Sequence, residues 1–141
     1  MTLYIGNKNI TERIFLDYRQ NSLPSTEFNQ YLSKSLTSFV APNSIVKLRD
    51  YCFNGFTSLT SAKISTSIKE LGENCFKGCS GLTKVWLPLS CIRIASNAFD
   101  GVPSTCKIYT DSLMDVATWE SGWSGNATVL YDKSETDFNN G

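Results

Sequence analysis

The most reactive side chains in this sequence belong to five cysteines, which stand at positions 52, 75, 79, 91 and 106. Cys75 and Cys79 have a C-x3-C spacing, but the chain contains no histidine and no second pair of this kind. A closed zinc site needs four ligands within tetrahedral reach. The odd number of cysteines, and an amino-terminal sequence without the pattern of a secretory signal, favour reduced thiols. We therefore expect no metal and no other cofactor, and no disulfide between Cys52 and Cys75.

The residues of an enzyme active site are not apparent either. Histidine, the commonest general base, is absent, and the acidic residues Asp50, Glu70, Glu73 and Asp100 fall in predicted loops and turns where charge is solvated. Thirteen basic and thirteen acidic residues cancel, whereas nucleic-acid binders usually carry a basic excess. No apolar run approaches the roughly 18 residues of a membrane span. The sequence predicts a non-enzyme without a nucleic-acid partner or a membrane span.

The elements that position the remaining candidates come from an internal repeat over residues 36–104. Leucines at 36, 59 and 82 open three copies of a 23-residue unit, and a fourth copy starts at Thr105 and breaks off. Each copy opens with the alternating apolar residues of a strand and closes with a short helical turn on Phe-x-Gly. One unit cannot bury its own core, so neighbouring copies must stack. The stack should be centred on a spine of Phe53, Phe76 and Phe99.

The repeat also sorts the cysteines. Four of them share columns with small or apolar residues and are expected to serve as small hydrophobes in the core. Cys106 instead falls in the column of Thr37, Thr60 and Thr83. This column predicts that Cys106 is the most accessible of the thiols.

Strand residues between the core-facing positions must point to the opposite side of the sheet. Trp86 and Tyr109 lie one rung apart in one column with Lys63 beside them, while Lys84 and Lys107 form a parallel column. Large aromatics beside cations suit a protein hot spot or a platform for a sugar ring, and stacked lysines favour a partner that carries carboxylates. Alternatively, the two aromatics pack against each other or beneath the C-terminal segment. These five residues are the candidate binding face.

Residues 1–35 do not match the repeat, and they predict short strands followed by a helix over 26–34. This segment would cover the apolar face of the first rung, as the terminal unit of a stacked array must. It is also a possible attachment site for another protein. The apolar residues of this candidate docking segment are Leu3, Tyr4, Ile5, Ile14 and Phe15.

The other end of the chain also departs from the repeat. Ser112-x-x-Asp115 is a capping-box signature, so residues 112–131 predict a cap with a short helix and a last strand at 129–131. In that helix Leu113, Val116 and Ala117 would form a buried stripe. Residues 132–141 are polar and predict a loose tail.

The repeat pattern L-T-x-V-x-L-P, then S-I-x-x-I, then A/C-F-x-G-C resembles the BspA-like (Treponema pallidum-type) leucine-rich repeat. The resemblance covers residues 36–111. It implies an α+β repeat fold, a short right-handed leucine-rich-repeat solenoid of about three and a half 23-residue repeats with N- and C-terminal caps. In such arrays the outward strand residues line a concave face that is used for binding. The implied division is 1–35 for the amino-terminal segment, 36–111 for the repeats, 112–131 for the C-terminal cap and 132–141 for the tail.

The opening LYIGNKNITERIFLDYR is similar to the openings of phage and prophage tail-associated structural proteins. Together the two resemblances imply a non-catalytic structural or protein-interaction module. The favoured interpretation is a phage virion component, in a tail, fibre or capsid-decorating role, whose partners are other virion proteins or further copies of the chain. The alternative is a bacterial cell-surface or extracellular adhesin that binds a host surface protein or a carbohydrate.

Overall fold

The computed structural model describes residues 2–3, 34, 36–41, 43, 46–48 and 50–141. Two parallel sheets run along the chain. Sheet A contains, in spatial order, β1 (Thr2–Leu3), β2 (Ser38–Val40), β4 (Ser61–Lys63), β6 (Lys84–Trp86), β8 (Lys107–Tyr109) and β9 (Thr128–Leu130). Sheet B contains β3 (Lys47–Leu48), β5 (Glu70–Leu71) and β7 (Arg93–Ile94). One short helix, α1 (Glu135–Asn140), follows β9.

Each 23-residue unit forms one rung, because it contributes one strand to each sheet. The pairing register advances by one repeat per rung, as in Phe39 opposite Ala62 and Ala62 opposite Val85. These central strand residues are buried, and the core lies between the two sheets. Threonine hydroxyls reinforce the stacking, since Thr60 Oγ1 donates to Thr37 O at 2.9 Å and Thr83 Oγ1 to Thr60 O at 2.8 Å.

The predicted phenylalanine spine is confirmed. Phe53 and Phe76 stack with ring centroids 5.3 Å apart, and Phe76 and Phe99 stack at 5.1 Å with an interplanar angle of 6°. The turn that carries each phenylalanine ends on a glycine with positive φ, between 74° and 80° at positions 55, 78 and 101. A residue with a Cβ is strained in this left-handed region. The Phe-x-Gly motif therefore follows from the geometry of the turn.

The repeat continues further than the sequence pattern does. Trp119 forms a parallel bridge to Ile94 at the edge of sheet B, and Trp123 packs edge-on against Phe99 with ring centroids 5.9 Å apart. Both tryptophans are buried. The fourth unit is thus completed, but Trp119 and Trp123 do not follow the 23-residue spacing of the earlier copies. The strand β9 then adds a further strand beside β8.

The helix predicted after Ser112 is absent, because residues 112–118 form bends and turns. Ser112 Oγ donates to Met114 O, and Asp115 accepts a hydrogen bond from the Tyr131 hydroxyl, so neither side chain caps a helix. The predicted stripe is also wrong, since Leu113 is 72% exposed and only Val116 packs against the core.

The loose tail predicted for residues 132–141 is wrong as well. Ser134 accepts a hydrogen bond from the Asp137 N–H, and the Asp137 carboxylate accepts one from the Ser134 N–H at 2.8 Å. This reciprocal capping box starts α1. Hydrogen bonds from the Ser134 N–H and the Ser134 hydroxyl to the Asp137 carboxylate lower the pKa of this carboxyl below its usual range. The composition of this segment is polar, but Phe138 is buried against sheet A.

The prediction of a short leucine-rich-repeat solenoid is confirmed by these stacked parallel rungs. The predicted helix at 26–34 lies outside the described residues, except for Lys34. Whether residues 1–35 and 112–131 act as caps stays a prediction.

Candidate functional site

The candidate binding face lies on the side of sheet A that faces away from the core. The parallel register places Trp86 beside Lys63 and beside Tyr109, and places Lys84 beside Lys107. Leu130 of β9 extends the aromatic column. The five predicted residues are therefore neighbours on one surface, which is called the strand face below.

The strand face is covered by α1, so its two aromatics are not open to solvent. Trp86 is 6% exposed and Tyr109 is 7% exposed. Phe138 packs edge-on against Tyr109, with ring centroids 6.0 Å apart, and Trp86, Tyr109 and Phe138 form an apolar cluster separate from the main core, with Leu130 packed against it. Of the two arrangements that the sequence left open, the structure has the one in which the aromatics lie beneath the C-terminal segment.

Two of the three lysines on the strand face contact the same helix. Lys63 Nζ lies 3.4 Å from Glu135 Oε1. Lys84 Nζ donates to Phe138 O at 2.9 Å and lies 4.6 Å from the centroid of the Phe138 ring, a cation–π distance. A cation near the last carbonyls of a helix is also favoured by the helix dipole. Lys107 is exposed.

Sequence reasoning missed Glu135 and Phe138. The available signal was Ser134-x-x-Asp137, which has the same serine-to-aspartate spacing as Ser112-x-x-Asp115. An apolar residue directly after such a box indicates a helix with one buried face. The sequence alone could not tell which of the two boxes forms, because this depends on the other hydrogen-bond partners of Ser112 and Asp115.

A cavity of about 210 Å³ adjoins α1 on the strand face. Lys63, Trp86 and Glu135 line it on the helix side, and Val40 and Ser65 are among the residues that complete it. The Ser65 hydroxyl is buried and has no hydrogen-bond partner among the described residues. A buried hydroxyl without a partner is unfavourable, and this one is closed to solvent although Ser65 lines the cavity.

A second, more polar concavity of about 340 Å³ lies along sheet B. Its acidic residues bind neighbouring rungs: Glu70 pairs with Lys47 at 3.2 Å, and Asp50 accepts a hydrogen bond from the Glu73 N–H at 2.9 Å. The sequence placed Glu70 in a loop. This prediction is wrong, because Glu70 lies in β5. Because these carboxylates are used within the repeat, they stabilise the fold and do not form a reactive pair.

The five cysteines are free thiols and all are buried. Burial raises the pKa of the Cys91 and Cys106 thiols to about 12, and it also raises the pKa of the Cys75 and Cys79 thiols. The prediction that Cys106 is accessible is wrong. Its N–H donates to Pro103 O at 3.0 Å within a turn, while Lys107 binds the Thr83 carbonyl. Cys106 thus leaves the threonine column and joins the core.

Of the candidate docking segment, Leu3 lies in β1, opposite Phe39 in the backbone register. Tyr4, Ile5, Ile14 and Phe15 lie outside the described residues. The backbone of β1 thus adds a strand to the first edge of sheet A. Attachment to another protein through residues 1–20 stays a proposal.

Metal centres and membrane-spanning helices are two further classes of site, considered for the residues that the structure describes. There, no group of three or more cysteine, aspartate or glutamate side chains is arranged to hold a metal ion. None of the helices in this part has the length and apolarity that a membrane crossing requires.

Comparison with protein families gives one match, to the BspA type leucine rich repeat region, in six copies over residues 6–118. Neither the curated proteins nor the solved structures that were compared include a significant match. The family match covers most of the chain and agrees with the stacked parallel rungs. This chain belongs to the BspA-type leucine-rich repeat family.

Proposed function

We propose that this protein is a non-catalytic protein-interaction module whose binding surface is the strand face. The family supports protein binding as the general role. The observation that carries the choice of surface is that the strand face already holds a polypeptide segment, α1, through Lys63, Lys84 and the aromatic pair. Aromatic side chains such as those of Trp86 and Tyr109 are enriched at protein interfaces.

For its place of action we propose a phage virion, with the chain in a tail, fibre or capsid-decorating role. The amino-terminal resemblance to tail-associated proteins supports this role. It is also supported by β1, because an edge strand offers backbone hydrogen bonds to another protein. Partners would then be other virion proteins or further copies of the chain.

The alternative is a bacterial surface or extracellular adhesin. It is favoured by the family match, since proteins of this family often act at the cell surface. Its partner would be a host surface protein or a carbohydrate, bound at the same strand face.

The place of action is tested by fractionating the native host and any phage that it releases. Mass spectrometry should find the chain in purified particles if it is a virion component, and among peptides released by protease treatment of intact cells if it is an adhesin. Its presence in neither fraction, but in the cell interior, would overturn both assignments.

The binding surface is tested by site-specific photo-crosslinking in the fraction that contains the chain. A photoreactive amino acid replaces Lys107, which is exposed on the strand face, and in the matched control it replaces Lys77, which is exposed in a turn of the repeat. We expect a defined protein adduct from position 107 and none from position 77. Equal crosslinking at both positions, or none at 107, would show that the strand face is not the binding surface.

A further inference from the structure

The partner of the strand face can be inferred from what occupies it. We propose that α1 is an intramolecular ligand of the strand face, and that the face binds in trans a short acidic helix of a partner protein with a phenylalanine three residues after a glutamate. This inference rests on the proposed function, because it names the partner class for the same surface. Glu135 and Phe138 supply this spacing within the chain.

The contacts of α1 define the chemistry that the face selects. Residues three apart lie on the same side of a helix, so Glu135 and Phe138 reach the sheet together. Lys63 pairs with the carboxylate, and the Phe138 ring enters between Trp86, Tyr109 and the Lys84 ammonium. An aliphatic side chain would lose the cation–π contact, and a basic residue at the first position would be repelled by Lys63.

The attachment of α1 is weak enough to be exchanged. The helix has six residues, far fewer than an isolated helix needs to be stable in water. The link from β9 is held at Asp132 and Lys133, whose N–H groups donate to Ser112 O and Thr110 O, both at 2.9 Å, so only the short helix beyond it has to leave the face. The contact is maintained because the tether keeps the helix at a high effective concentration.

A ligand in trans can make contacts that α1 does not make. The 210 Å³ cavity adjoins Glu135, the first residue of the helix, and its wall includes Val40 and Ser65. A partner helix that continues beyond its glutamate in the amino-terminal direction would reach this cavity, whereas the chain of α1 is tied back to β9. Longer acidic helices should therefore displace α1.

The test uses the full chain with Phe138→Ala, which removes the aromatic anchor of α1, and Asn139→Ala as the matched control on the exposed side of the same helix. The probe is a peptide with the sequence of residues 132–141. Its control peptide carries alanine in place of the phenylalanine. Nuclear magnetic resonance of the indole N–H groups separates Trp86, on the strand face, from Trp119 and Trp123, which lie in the main core.

We expect the peptide to shift the Trp86 indole signal of the Phe138→Ala chain and to leave the other two indole signals unchanged. In the wild-type and Asn139→Ala chains the site is filled, so the same shift should require at least a tenfold higher peptide concentration. A chain with both Phe138→Ala and Lys84→Glu should lose the response, while its dispersed spectrum shows that it is folded.

Three results would overturn the inference. These are equal binding to the wild-type and Phe138→Ala chains, undiminished binding of the control peptide, and a doubled solution mass of the wild-type chain caused by exchange of α1 between two copies. If the peptide fails to bind but position 107 still crosslinks to a partner, only this inference fails. If position 107 also fails to crosslink, the proposed function fails with it.

Discussion

Sheet A separates two groups of aromatic side chains that are held in different ways. On its inner side, Phe53, Phe76 and Phe99 stack at a spacing set by the repeat, and every rung contributes to their burial. On its outer side, Trp86 and Tyr109 are equally well aligned by the register, but they are covered by a six-residue helix that packs Phe138 against them. The inner group is thus part of the global fold, whereas we expect the segment that covers the outer group to open separately.

The comparison predicts its largest effect for Phe76→Ala. The side chain is fully buried between two stacked rings, and such a truncation in a core typically costs about 3–5 kcal/mol of the free energy of unfolding. Denaturant unfolding followed by circular dichroism should show this loss. A cost similar to that of Phe138→Ala would mean that the spine is no more important for stability than the outer cluster.

Phe138→Ala should have little effect on global stability but a large effect on the local stability of α1. We expect α1 to open locally without unfolding the rest of the chain. Removal of the Phe138 side chain should therefore lower the free energy of global unfolding by roughly 1 kcal/mol or less. Hydrogen exchange should become fast at the amides of Phe138 and Gly141, which are bonded within the helix and its cap, and should stay slow in sheet A. Fast exchange throughout sheet A would show that the helix is needed for the fold.

The same contrast explains what the sequence could predict. The inner group was predictable because its period, its Phe-x-Gly turns and its column of core residues repeat three times, so each copy supports the others. The outer residues Lys63, Lys84 and Trp86 could be assigned to one surface from the same period. That α1 covers them could not be predicted, because Phe138 occurs once and its partners Trp86 and Tyr109 are distant in the chain. Cys106 was misassigned for a similar reason, because the turn at Pro103 interrupts the period.

The capping box of α1 predicts an effect of about the same size as that of Phe138→Ala. Ser134→Ala removes the hydroxyl that accepts the Asp137 N–H, and the loss of such a cap costs about 1 kcal/mol of helix stability. Hydrogen exchange of the Phe138 amide should accelerate roughly fivefold for a loss of that size. Ser112→Ala is the matched control, because Ser112 has the same spacing to an aspartate but does not cap a helix. If the two substitutions change the exchange in α1 equally, Ser134 is not its cap.

A further effect, which depends on pH, distinguishes a buried thiol from an exposed one. Burial raises the pKa of the Cys106 thiol from its ordinary value of 9.0 to about 12. In the unfolded chain this thiol loses its proton above pH 9, while the folded chain retains it, so the stability that the buried thiol contributes is present below pH 9 and decreases as the pH rises towards 12. The wild type should therefore lose free energy of unfolding relative to the Cys106→Ala variant as the pH rises through this interval. Ionisation of lysines and tyrosines affects both chains alike, so it cancels in this difference. A difference that stays constant from pH 8 to pH 11 would mean that the Cys106 thiol is accessible to solvent after all.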